Sequence, residues 1–148
     1  MPKVRWLDDL EEEAWVGFLR TQARLMTQLD HELREEHGLS LADYDVMATL
    51  SAQPDHQLRA TELADNVVIS PSTLTRRLDS MEQRGLVARR RCPSDARGVH
   101  VVLTDEGMRA LQAAAPSHVD GVRRHFIDSL TRSQIEALAH IGRQTSSQ

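Results

Sequence analysis

The chain has a single cysteine, Cys92, in 148 residues, so neither a disulfide framework nor a thiolate metal cluster can organise it. No apolar run approaches the length of a membrane span, and the acidic start (Asp8, Asp9, Glu11, Glu12, Glu13) is unlike a signal peptide. A cytoplasmic protein with no membrane partner is expected. No nucleophile–base pair, phosphate-cradling glycine loop or carboxylate pair is recognisable, so no enzyme and no cofactor are expected. His31, His37, His118, His125 and His140 lack a thiolate or a tight carboxylate partner in the sequence, which makes them core or surface histidines rather than metal ligands. There is no internal repeat and no low-complexity linker. The length suits one domain, taken as residues 1–148.

Charge is present but unevenly spread. The formal net charge is −4, yet residues 70–100 hold seven arginines against Asp79, Glu82 and Asp95, a local +4 that leaves −8 elsewhere. A basic face on an acidic body suits local phosphate contact; the bland reading is a solvated arginine-rich surface.

Periodicity gives a mainly α chain with a small antiparallel β-hairpin. Leu10, Ala14, Trp15, Phe18, Leu25, Met26, Leu29 and Leu33 recur at helical spacing over about residues 9–37, and Gly38 supplies the stop. Ser40, with Asp43 at the third position, caps a second helix that ends before Gln53-Pro54-Asp55. A short extended piece near Leu58-Arg59 precedes a short helix with Thr61 as its expected cap. Ser70 caps the next helix, with Pro71 at its first position. Two short helices across a tight turn form a helix-turn-helix. From Leu86 to Thr104 the period shortens to two around a turn at residues 93–98, giving a basic hairpin. Thr104 caps a long helix that Pro116 should kink. Thr131 and Gln134 box the last helix, expected to bury Ile135, Leu138 and Ile141.

Within the helix after Ser70, 100° steps put Leu74, Leu78 and Met81 on one inward stripe, with Ser72, Arg76, Asp79, Ser80 and Gln83 roughly opposite and Thr73 on the flank. Ser72, Thr73 and Arg76 are candidate readers of base edges, and Ser70 with the free first-turn amides suits a phosphate. Arg77 projects near the apolar stripe and is expected to face inward. On the hairpin, Arg97 is a candidate for an A·T-rich minor groove, with Asp95 and Gly98 shaping the tip. Arg89, Arg90 and Arg91 cannot all face one way; Arg91 is a candidate phosphate contact.

Taken together, Thr61-Glu62-Leu63-Ala64, Ser70-Pro71-Ser72-Thr73-Leu74-Thr75-Arg76, Glu82-Gln83-Arg84-Gly85-Leu86-Val87, Asp95-Ala96-Arg97-Gly98 and Leu103-Thr104-Asp105-Glu106-Gly107 resemble the MarR family of winged helix-turn-helix regulators. The resemblance implies a homodimer joined through helices at about residues 9–37 and 105–145, with a winged helix-turn-helix at about 40–104. It implies repression by binding double-stranded DNA at a pseudo-palindromic operator, and release by a small, often aromatic effector lodged between the dimerisation helices and the DNA-binding lobe. Arg97 would be the minor-groove arginine and Asp95 its buttress. By likeness to a urate-responsive branch, Asp45, Arg77 and Arg89, with Trp15 or Trp6, are an expected effector set. One departure is Val68 in the turn Asn66-Val67-Val68-Ile69, where a glycine is common; Asn66 is expected to absorb the strain. Two other readings stay open: a winged-helix protein-interaction module that reads no DNA, and a regulator switched by oxidation of Cys92.

Overall fold

The computed structural model describes residues 4–92 and 94–146, with the side chains of residues 95–97 outside that description. Helix α1 spans Asp9–His37, α2 Leu41–Ser51, α3 Ala60–Asn66, α4 Pro71–Gln83, α5 Asp105–His125 and α6 Arg132–Thr145. Strands β1 (Gln57–Arg59), β2 (Val87–Cys92) and β3 (Asp95–Leu103) form an antiparallel sheet in the order β1-β3-β2. The fold is therefore mainly α with a small antiparallel sheet, as expected. The extended piece at Leu58-Arg59 adds a third strand to the hairpin, with Leu58 opposite Val101.

Local chemistry sets most boundaries. Asp8 and Glu11 form a reciprocal capping box at the start of α1, and Gly38 closes it at φ 66°, a left-handed conformation that suits glycine. Ser40 and Asp43 form the equivalent box on α2. Thr104 caps α5 by accepting the Gly107 N–H at 3.0 Å, while its hydroxyl donates toward the Gly85 and Leu86 carbonyls at the start of the wing. At α3 the expectation fails. The helix begins one residue before Thr61, and the Glu62 carboxylate accepts the Arg59 N–H at 3.1 Å. A carboxylate at the third position offers a stronger acceptor near the helix's positive end than the threonine hydroxyl would. The helix α5 continues through Pro116 as one element.

The core lies where α2, α3, α4, the sheet and the start of α5 meet. Met47, Leu50, Leu63, Met81, Val87 and Val101 are fully enclosed there. Of the apolar stripe on α1, only Leu25, Leu29 and Leu33 are buried, against α5 and the lobe. Leu10, Ala14, Trp15, Phe18 and Met26, on the same stripe, are exposed. In α6 nothing is buried: Leu138 and Ile141 are exposed and Ile135 is half-buried. The physical reason is the same at both ends, because no element among the described residues covers these faces.

Candidate nucleic-acid interface and ligand chamber

The second helix of the helix-turn-helix is α4. The Ser70 hydroxyl accepts the Thr73 N–H at 3.3 Å and donates to the Thr73 hydroxyl at 2.8 Å, tying the helix start together. Leu74, Leu78 and Met81 are buried, and Ser72, Arg76, Asp79 and Gln83 are exposed on the far side; Thr73 and Ser80 are half-buried. Arg76 has no ion-pair partner among the described residues. Its guanidinium is thus available to a base edge or phosphate without breaking an internal contact.

Arg77, one residue on, is committed inward. Its Nε donates to Asp43 Oδ1 at 3.0 Å, and Arg84 Nη1 donates to Asp43 Oδ2 at 3.0 Å. Asp43 is 1 % exposed and also accepts the Ser40 N–H at 3.0 Å. Arg84 then reaches the Gly38 carbonyl at 2.8 Å. One carboxylate on α2 therefore fixes the middle and the C-terminal end of α4 to the junction between α1 and α2. Sequence reasoning found Asp43 only as a cap and gave Arg84 no role; nothing local in the sequence marks a contact across more than thirty residues.

The helix-turn-helix turn uses no left-handed residue. Among the described residues, the non-glycine positive-φ positions are Asp55 and His56, so Asn66 does not absorb the strain. Instead Val67 is extended, and the Asp45 carboxylate on α2 accepts the Val68 N–H at 2.9 Å. A side chain from the neighbouring helix supplies the acceptor, and valine is tolerated.

The wing is the β2–β3 hairpin. Arg91 faces Val99 across the ladder while Cys92 faces Asp95, so residues 96–98 are extra on the β3 side and the hairpin is irregular near its tip. Asp95, Arg97 and Gly98 lie in this part of β3; the side chains of Asp95 and Arg97 fall outside the described residues. Arg90 and Arg91 are exposed, with no ion pair among the described residues. Arg89 pairs with Asp79 of α4, and its N–H donates to Glu82 at 2.9 Å, locking wing to recognition helix. Cys92 is buried at the end of β2 next to the hairpin turn, 3.8 Å from the Arg59 guanidinium and 3.2 Å from the Ser94 hydroxyl.

Behind this surface, a cavity of about 760 Å³ opens between α1, α2, α5 and the turn before α4. Its wall is mainly apolar, with Leu25, Leu29, Tyr44, Val122 and Phe126 prominent. Tyr44 and His118 lie ring against ring at 4.2 Å, and His118 Nδ1 is buried with no hydrogen-bond partner. Burial holds the His118 pKa below its ordinary value, against the pull of Glu32, and burial raises that of Tyr44. Of the expected effector set, only Asp45 lines this cavity. Arg77 is held by Asp43 and Arg89 by Asp79. Trp15 stacks on Phe18 with centroids 6.4 Å apart on the exposed half of α1, and Trp6 is 82 % exposed. The set does not converge.

Two of the histidines have separate partners. His37 lies 2.7 Å from the Ser117 hydroxyl and His125 lies 2.6 Å from Glu32. Among the described residues no three His, Cys, Asp or Glu side chains are arranged to hold a metal. Among the described residues no helix is long and apolar enough to cross a membrane.

The chain is similar to known proteins. Residues 39–99 match the MarR family. The chain is 36 % identical to Sco3205 of Streptomyces coelicolor, a MarR family transcriptional regulator solved in complex with DNA, covering 99 % of this chain and 91 % of that one at a TM-score of 0.91. It is 29 % identical to the HTH-type transcriptional regulator PecS of Dickeya dadantii (strain 3937), over 78 % of this chain and 70 % of that protein. It is 35 % identical to the HTH-type transcriptional repressor YetL of Bacillus subtilis (strain 168), over 62 % of this chain and 56 % of that protein.

Proposed function

The chain belongs to the MarR family of transcriptional regulators, and from that premise we propose that it is a homodimeric repressor that leaves its operator when a small molecule fills the chamber behind α4. One observation carries the DNA-binding part of the reading: Arg76, Arg90 and Arg91 are exposed cations without ion-pair partners among the described residues, on the two elements that the Arg89–Asp79 pair fastens together. In this reading Ser72, Thr73 and Arg76 meet base edges in a major groove, while Ser70 and Arg91 meet phosphates. Arg97, with Asp95 and Gly98 shaping the tip, enters the neighbouring minor groove.

Dimerisation rests on the uncovered apolar faces of α1 and α6, where Trp15, Phe18, Leu138 and Ile141 lie open. Two copies joined there place two recognition helices on one face, with half-sites about one helical turn apart. Repression is the sign given to the YetL relative, and it suits a protein that would occupy promoter DNA.

Anisotropy titrations on duplex flanking the chain's own gene, with random duplex as competitor, test the reading. Arg76→Ala should lose about 1–3 kcal/mol of discrimination, and Arg97→Ala should lower the salt slope by about one while weakening A·T preference. Retention of wild-type affinity and selectivity by both variants contradicts it and favours a winged-helix protein-interaction module.

A further inference from the structure

We propose that the chamber accepts a lipophilic cation, such as a protonated aromatic amine, rather than an aromatic carboxylate. This rests on the chamber being the effector site and adds the chemical class of its occupant. Asp30 and Asp45 are in the wall, and no arginine or lysine is. The two carboxylates differ. Asp30 is already compensated: Arg34 donates to it at 2.6 Å and the Leu41 N–H at 2.8 Å. Burial pushes its pKa up, but these contacts and the nearby charges of Arg34 and Arg77 outweigh that and leave it below its ordinary value. Asp45 has the Val68 N–H on one oxygen and no cationic partner among the described residues.

The remaining polar groups also suit a donor-rich guest. His118 Nδ1 is enclosed, and burial favours the neutral imidazole, so this ring adds no competing cation to the wall. The Thr27 hydroxyl already donates to the Ala23 carbonyl at 3.0 Å, leaving its lone pairs to accept. An ammonium or amidinium head can pair with Asp45 while its ring occupies the apolar space beside Tyr44 and Phe126, whose π faces favour a cation. An aromatic acid would bring a second uncompensated carboxylate into a desolvating site.

The same residue links occupancy to DNA. Asp45 holds the amide of the turn that leads into the Ser70 cap of α4. A guest that recruits this carboxylate alters the contact that sets where the recognition helix begins, which is the differential interaction a release mechanism requires.

Calorimetry on the full chain at neutral pH with naphthylmethylamine and naphthoate, which share one ring system, tests the proposal. The amine should bind about tenfold tighter or more. Asp45→Asn, whose amide oxygen can still accept the Val68 N–H, should remove most of that preference, and Val122→Trp, which fills the chamber, should abolish binding of the amine. Equal or tighter binding of naphthoate, itself lost in Val122→Trp, overturns the charge class and leaves the chamber as effector site. If neither compound binds, or Val122→Trp leaves the amine bound, the chamber reading fails and this inference with it. Should Asp45→Asn not fold, the wild-type comparison decides alone.

Discussion

Asp43 accepts hydrogen bonds from Arg77, Arg84 and the Ser40 amide at once, and it is enclosed while both guanidinium groups keep partial access to solvent. Removing the carboxylate leaves two cations facing an enclosed site and deletes a helix cap. Asp43→Ala should therefore cost about 3 kcal/mol in urea unfolding; a loss near zero would mean that the ion pairs hold nothing together. His118 makes a prediction about pH. Its folded-state pKa lies below that of the unfolded chain, so the neutral form favours folding. Its contribution is complete above about pH 6.5 and declines as the pH falls toward the folded-state value. His118→Phe should flatten the stability curve below that point, measured by denaturant midpoints at a series of pH values. An unchanged slope would show that other groups set it.

Among the elements, caps and periodicity were legible because they are local. Asp9–His37 for α1, Pro71 as the first residue of α4 and the inward stripe of Leu74, Leu78 and Met81 follow from spacing and side-chain chemistry alone. Non-local contacts were not legible. The pairing of β1 with β3, the Asp45 bond to Val68 and the commitment of Arg89 to Asp79 depend on which elements become neighbours. The effector set read from sequence shows the limit, because its arginines had closer carboxylates once the chain folded. The start of α5 is equally a tertiary matter. A Cβ on Gly107 would lie 2.1 Å from the Leu86 carbonyl oxygen, a backbone atom that cannot move aside. Gly107→Ala should cost about 3 kcal/mol through overpacking, since it forces α5 away from the wing. A thermal midpoint equal to wild type would refute so close an approach.

For the whole molecule, two apolar helical ends flank a lobe with its own enclosed core. The last helix was read as burying Ile135, Leu138 and Ile141 because its periodicity is strong, and periodicity cannot say whether the covering surface belongs to the same chain. Phe18→Asp combined with Leu138→Asp puts charge into both open faces. The double variant should run as a folded monomer in light scattering and bind operator duplex at least about a hundredfold more weakly, because a lone subunit forgoes the second half-site. A folded monomer with full affinity would separate DNA binding from pairing.

Hydroxyl-radical footprinting on duplex flanking the chain's own gene tests the central claim most directly. Two subunits that present paired α4 helices and wings should protect two patches related by two-fold symmetry, with centres about one helical turn apart. Protection of one isolated patch, or none above that on random duplex, would contradict the account.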